Sequence, residues 1–245
     1  MNRCCLCGDS GVAPFASVEG REYLRCRRCR LTFLSRAQLP ARDEEKRQYD
    51  LHENDPHDPG YRRFLSQLTT PLVARLDAGV EGLDFGCGPG PALALMLEQA
   101  GFPMRTWDPI YAADDDALTR SYDFVTSTEV FEHLHQPARE WARLQSLVAP
   151  GGWLAVMTRF LIDDRHFPRW HYRRDPTHVC FWQPRTFQWL ARRDGWRVEH
   201  IRNPVVLMRR VGPSTTHAAT NNAASTARSA SGTTMSRPRI RRPNQ

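Results

Sequence analysis

Apolar residues along this chain follow two periods, and their alternation outlines a layered α/β body. From Tyr61 to Asp77, the residues Phe64, Leu65, Leu68, Leu72, Val73 and Leu76 recur at helical spacing. Residues 80–85 form a short apolar run of the kind buried in a parallel sheet. Residues 90–100 are helical again, stopped by Gly101. Residues 103–107, 122–127 and 153–158 read as further strands. Residues 137–148, with Trp141, Leu144 and Leu147 on one face, and residues 183–193 read as helices. Ala149-Pro150-Gly151-Gly152 predicts a sharp turn into a central strand. Two last strands, 196–201 and 205–208, are joined through Asn203-Pro204. The pattern predicts an α/β fold around a mostly parallel sheet. The span between Asp108 and Asp123 is short for a helix, a strand and another helix, so that edge is either pared down or irregular.

Four segments follow: a cysteine-bearing module over 1–34, a polar stretch over 35–60, the α/β domain over 61–211, and a tail over 212–245. The polar stretch holds one expected helix near 43–49 and reads as a solvated linker, with a lid over the α/β domain as the alternative. The tail is rich in Ser, Thr, Ala and Asn, with almost nothing to bury, and is expected to be disordered.

Composition adjusts this picture in three ways. The 40% hydrophobic share of 245 residues supports a sizeable core, and no apolar run approaches the roughly 20 residues a membrane span needs. The first residues lack the apolar stretch of a signal peptide, so a cytoplasmic location without membrane contact is expected. The net charge of +7 resides largely in the tail, where Arg228, Arg237, Arg239, Arg241 and Arg242 have no acidic counterpart. That leaves the body near neutrality, and a nucleic-acid partner is possible but not favoured. Seven cysteines in such a compartment favour metal over disulfides. Cys4-x-x-Cys7 and Cys26-x-x-Cys29 have the spacing of a four-thiolate zinc ribbon, structural and closed to catalysis. Short strands are expected at 22–25 and 31–34.

The main candidate for ligand chemistry is Asp84-Phe85-Gly86-Cys87-Gly88-Pro89-Gly90, where the first buried strand turns into its helix. Glycines there permit positive φ and let a ligand approach the backbone amides at a helix start. A dinucleotide fingerprint would require glycine at position 91, where Pro91 stands. The spacing Asp84-x-Gly86-x-Gly88-x-Gly90 instead resembles motif I of class I S-adenosylmethionine-dependent methyltransferases. The turns at 149–154 and the edge hairpin resemble the same family. The resemblance spans roughly 61–211 and implies a Rossmann-like sheet of seven strands, possibly six, with an antiparallel C-terminal edge. It also implies cofactor contacts from Asp84, Phe85, Gly86, Cys87, Gly88 and Gly90, from Asp108 and Pro109 at the second strand tip, and from Ser127, Thr128, Glu129 and Val130. Asp108 sits where an acid accepts ribose hydroxyls.

The run Asp123-Phe124-Val125 with Glu129-Val130-Phe131-Glu132-His133-Leu134 resembles the small-molecule branch of that family, as does Asp175-Pro176-Thr177-His178-Val179. In quinone O-methyltransferases a similar E-x-x-E-H constellation is linked to a divalent cation, here Glu129, Glu132 and His133. The same residues can equally cap and charge a helix start. His178 is the leading general-base or orienting candidate, with Asp175 and His171 as neighbours, and a backbone-bracing role is its structural alternative; His133 and Asp175 are the other catalytic candidates. The aromatic residues of 166–182 either stack a flat acceptor or cover the sheet. The expected activity is methyl transfer to an O, N or C nucleophile of a small-molecule acceptor. Ribosomal RNA is the second acceptor class, and a non-catalytic adaptor the third reading.

Overall fold

The computed structural model describes residues 3–51 and 55–212. The tail from residue 213 onward lies outside the described residues. The main sheet contains β4 (Gly82–Phe85), β5 (Met104–Trp107), β6 (Tyr122–Thr128), β7 (Val148–Met157), β9 (Trp196–Arg202) and β10 (Val205–Arg210). Their spatial order is β5-β4-β6-β7-β10-β9. The first four run parallel, whereas β10 pairs antiparallel with both β7 and β9. The sheet therefore has six strands, and a short 3-10 turn over Asp115–Leu118 stands at the pared edge.

Strand alternation builds the two faces. Phe124, Ala155, Met157, Val205 and Leu207 share a cluster with Leu65, Leu68 and Leu72 of α2 (Pro59–Val73) and Leu93 and Leu97 of α3 (Ala92–Gln99). Their neighbours Val125, Leu154, Val156, Val206 and Met208 pack with Trp141, Leu144 and Leu147 of α4 (Pro137–Leu147) and Phe187 and Leu190 of α5 (Pro184–Asp194). Helix α2 starts where the sequence allows it: Asp58 caps the Tyr61 amide at 2.6 Å and Pro59 occupies the first turn.

The glycine turn expected at 149–152 is a bulge inside β7 instead. Tyr122 pairs with Val148 but Phe124 pairs with Trp153, so the extra β7 residues loop out without ending the strand. A side chain at Gly152 would stand 2.5 Å from the Asp123 carbonyl oxygen.

A second sheet of four strands has the order β1-β2-β3-β8. Strand β1 (Val12–Val18) has no clear sequence signature, whereas β2 (Arg21–Cys26) and β3 (Thr32–Leu34) match the expected short strands. The fourth strand, β8 (Cys180–Phe181), comes from the aromatic stretch after β7. Tyr23 packs edge-on to Phe167 and Phe181, at 4.8 and 5.7 Å between ring centroids. Arg25 holds Asp164 with two hydrogen bonds of 2.5 and 2.8 Å, and the buried Arg173 reaches Glu19 at 2.9 Å. Phe167, Phe181 and Trp182 are therefore occupied in covering sheets.

Phe181 is fully buried where the two sheets meet. Phe181→Ala is expected to cost about 3–5 kcal/mol, read as a lower urea midpoint of one common transition. A separate early transition for the cysteine-bearing strands would contradict that coupling.

Candidate active site

The glycine turn lies at the C-terminal ends of the parallel strands, where open α/β sheets bind ligands. Gly86 and Gly88 have φ of +79° and +65°. A Cβ at Gly86 would stand 2.4 Å from a Val130 methyl, so close packing as well as conformation requires glycine there. The amides of Gly86 and Cys87 donate to the Trp107 carbonyl at 2.7 and 3.3 Å, which fastens the turn to the tip of β5. The Phe85 ring stacks on Trp107 in the core, at 4.6 Å, so this residue offers the turn only its main chain. Asp108 accepts from the Gly88 amide at 3.1 Å through Oδ2, and from the Ile110 and Tyr111 amides at 2.8 and 3.0 Å through Oδ1. It thus shapes the turn it faces. Pro109 is exposed beside it, and Gly90 lies just before α3, whose start has no side-chain cap. Asp84 is buried and accepts from the Thr126 hydroxyl at 2.8 Å. Burial pushes its carboxyl up to about 7 against that hydrogen bond, and the charge of Asp108 adds to the rise.

A second polar group gathers beyond β6. Ser127 is buried with no hydrogen-bond partner for its hydroxyl. Thr128 is the last residue of β6, and Glu129 follows with φ of +52°. That is an unfavourable conformation for a side chain other than glycine's. The Glu129 amide donates to Met157 at 2.8 Å, while its Oε1 is buried without a hydrogen-bond partner. Burial, followed by the charge of Glu132, raises the Glu129 carboxyl to about 9. Glu132 is fully buried and accepts from Thr158 at 2.8 Å and from the Tyr172 hydroxyl at 2.5 Å.

The structure brings His133, Asp175 and His178 together around Glu132. The imidazoles of His133 and His178 lie 4.7 Å apart, edge to face. His133 Nδ1 is 3.2 Å from the Thr177 carbonyl and His178 Nδ1 is 2.6 Å from the Tyr172 carbonyl. A carbonyl only accepts, so both Nδ1 atoms carry a proton. Burial holds the His178 imidazole below its usual range. Asp175 Oδ2 lies 3.8 Å from His178 Nε2, and its Oδ1 accepts from the Thr177 amide and hydroxyl. Burial alone would raise the Asp175 carboxyl, but those bonds and the neighbouring imidazoles hold it below the usual carboxylate range. His171 is exposed on a 3-10 turn. Thr158 and Tyr172 are the polar partners that spacing did not reveal; both are buried, and neither lies in a local motif with Glu132.

Helix α1 (Arg42–Tyr49) passes over both groups. Tyr49 packs edge-on to His133 at 5.1 Å, Glu45 Oε1 lies 2.8 Å from His135 Nε2, and Asp50 accepts from the Tyr111 hydroxyl at 2.7 Å. The cysteine cluster is carried by the turns flanking the second sheet, with only Cys26 inside a strand. Cys4 and Cys29 sulfurs are 3.5 Å apart, as are those of Cys7 and Cys26, and all four lie within 4.8 Å of one another. Both knuckles turn alike, with Gly8 and Arg30 at φ of +72° and +68°.

Comparison with known proteins agrees with this geometry. A family model described as a methyltransferase domain matches residues 57–201, more than half of the chain. The chain belongs to that family, and its class is that of the S-adenosylmethionine-dependent methyltransferases. Among solved structures, a 1,6-didemethyltoxoflavin-N1-methyltransferase from Burkholderia thailandensis is 14% identical with a TM-score of 0.50, covering 81% of this chain and 99% of its own. An O-methyltransferase family protein from the same organism is 18% identical with a TM-score of 0.49 over 69% of this chain, which spans 64% of that protein's length. The magnesium protoporphyrin IX methyltransferase of Synechocystis PCC 6803 is 16% identical, with a TM-score of 0.47 over 69% of this chain and 93% of its own. A search of curated protein sequences finds no significant match. Among the described residues, no helix is long and apolar enough to cross a membrane.

The Asp84 carboxyl gives a pH signature. A folded value near 7 lies above that of an unfolded aspartate, so the native state holds the proton more tightly. The resulting stability is complete below about pH 4 and is lost as pH rises through 7, by up to about 1.4 kcal/mol per unit. Asp84→Asn is expected to gain stability relative to wild type across that window. Urea midpoints at both ends measure it, and a constant difference would contradict the assignment.

Proposed function

We propose that this protein transfers the methyl group of S-adenosylmethionine to a small-molecule acceptor that enters beneath α1. The observation carrying this reading is the enclosure of the Glu132, His133 and His178 group. It is buried or half-buried, covered by Tyr49, and lies past the strand tip whose Val130 packs on the glycine turn. A site closed in this way suits a small acceptor better than a polymer.

In this reading the amides around Phe85, Gly86, Cys87, Gly88 and Gly90 receive the methionine carboxylate, and Asp84 balances the ammonium. Asp108, beside Pro109, takes the ribose hydroxyls. Ser127, Thr128, Glu129 and Val130 line the methyl end. The sulfonium then supplies the methyl group, and the chain contributes alignment of donor and acceptor near attack distance. His178, oriented by the Tyr172 carbonyl and supported by His133 and Asp175, faces the acceptor's proton. Cys4, Cys7, Cys26 and Cys29 hold a structural zinc. Tetrahedral thiolates at 2.3 Å from zinc sit about 3.8 Å apart, close to the 3.5 Å pairs found here.

Calorimetric titration of the full chain with S-adenosylmethionine, S-adenosylhomocysteine and NADH tests the class: the first two bind and the third does not. Transfer of tritiated methyl from the cofactor into fractionated cell extract tests the acceptor, with label expected in the low-mass fraction. Label in RNA would refute the small-molecule reading. Asp108→Asn is expected to weaken S-adenosylhomocysteine binding roughly tenfold through loss of charge-assisted hydrogen bonds. Cys26→Ser is expected to release zinc and to lower methyl transfer more than cofactor affinity, because the cysteine-bearing sheet supports the segment that carries His178.

A further inference from the structure

A cavity of about 250 Å³ opens beside the C-terminal end of β7, next to the group around Glu132 but lined by none of its members. Its lining includes Arg159, Phe160, Ile162, His166, Trp170 and Asn203. Tyr172 stands between the two places. Its hydroxyl donates to Glu132 at 2.5 Å and accepts from the Arg159 amide at 3.3 Å, and its ring lies 4.2 Å from His178 and 5.1 Å from Trp170.

The backbone under the cavity is fixed. The Thr158 amide donates to the Pro204 carbonyl at 3.0 Å, that of Phe160 to the Asn203 side-chain oxygen at 2.9 Å, and that of Leu161 to the Trp182 carbonyl at 2.8 Å. With the Arg159 bond, every amide from Thr158 to Leu161 is engaged, so Arg159 projects from a braced strand end. Trp170 is half-buried, with its ring also 6.0 Å from Phe181. An indole held in this way offers a flat contact surface at little cost in side-chain entropy. Ile162, 70% exposed, adds an apolar rim.

Charge in the cavity is unbalanced. Among the described residues the exposed Arg159 guanidinium has neither an ion pair nor a hydrogen bond. Asp163, the one acid in the lining, accepts from the Arg165 amide at 2.9 Å and faces the Arg165 guanidinium at 3.6 Å. The carboxyl that Arg159 acts on, Glu129, keeps its proton through burial and the charge of Glu132. A planar guanidinium without a partner matches the two oxygens of a carboxylate. A phosphate dianion, with three oxygens to satisfy, would call for more donors than this lining supplies.

We propose that this cavity binds a carboxylate carried on a planar ring, with Arg159 pairing to the carboxylate and the ring lying against Trp170. The binding site stands on the cavity and its side chains. Its role rests on the methyl-transfer reading: the bound ring is the anchored end of the acceptor, and Tyr172 sets it beside His178 and Glu132. The acceptor is then an aromatic acid whose charge is recognised away from the reacting atom, so that remote binding aligns the nucleophile.

4-Hydroxybenzoate is the probe, and 4-hydroxybenzamide, of the same shape without the charge, is its control. Titrated into the full chain and followed by saturation-transfer magnetic resonance, the acid is expected to bind at least ~10-fold more tightly than the amide, a readout that needs no variant. Arg159→Gln should remove that preference, and Trp170→Ala should weaken both compounds; near-ultraviolet circular dichroism reports the fold of each variant. Absence of acid binding, equal binding of acid and amide, or an undiminished preference in a folded Arg159→Gln variant would each overturn the proposal. S-adenosylhomocysteine titration of the same samples separates the two readings. Cofactor binding without acid binding removes the carboxylate site and leaves methyl transfer, whereas acid binding without cofactor binding keeps the site and removes its role in methyl transfer.

Discussion

One residue, Val179, ties the molecule together through its backbone. Its amide donates to the Glu132 carbonyl at 2.8 Å, and its carbonyl accepts from the Leu34 amide, also at 2.8 Å. The tip of β6, the segment bearing His178 and the cysteine-bearing sheet are thus linked through one residue. The neighbouring contacts repeat the connection. The Trp182 indole donates to Phe131 at 2.8 Å, and Leu161 donates to Trp182 at 2.8 Å. Each bond lies among buried side chains, where leaving a backbone group unpaired is expensive. The geometry around Glu132 therefore depends on a sheet whose cysteines lie far away in sequence. The cysteine cluster and the group around Glu132 are thereby joined without sharing an atom.

The two polar groups share one electrostatic device, a carboxyl raised by burial beside another held by hydrogen bonds. At the glycine turn the raised carboxyl is Asp84 and the one held by amides is Asp108. Around Glu132, Glu129 carries its proton through neutral pH while Asp175 stays ionised. Burial raises both carboxyls, but the charge of Glu132 adds to the rise at Glu129, whereas two bonds from Thr177 and the neighbouring imidazoles hold Asp175 down. Environments that separate similar groups in this way mark functional positions more often than structural ones.

Legibility in the sequence followed how local each interaction is. The glycine turn and its flanking strand and helix could be read from one stretch, because Gly86, Gly88 and Asp84 act within a few residues of each other. The cysteine knuckles were legible for the same reason. Strand β1 was not, since its pairing shifts register between Pro14 and Ala16 and its residues are only partly covered. Strand β8 was hidden more deeply: two residues carry no period, and only the partner strand β3 makes them a strand. His133 and His178 were each visible as candidates, but their apposition depends on Val179, which no spacing rule reports. The aromatic stretch had two open explanations, and burial of Phe167, Phe181 and Trp182 decides between them.

The pared edge next to β5 shows how the fold dispenses with a strand. Asp114 caps its own turn at the Asp116 amide, Asp115 accepts from the Trp107 indole at 3.4 Å, and the Tyr122 hydroxyl donates to the Ala117 carbonyl at 2.8 Å. The turn is thereby stitched to both flanking strands and buries Ala117 and part of Leu118. The exposed Arg105 interrupts the open side of β5 with charge, which discourages pairing with another chain. Two of the three consecutive acids are thus engaged in local structure.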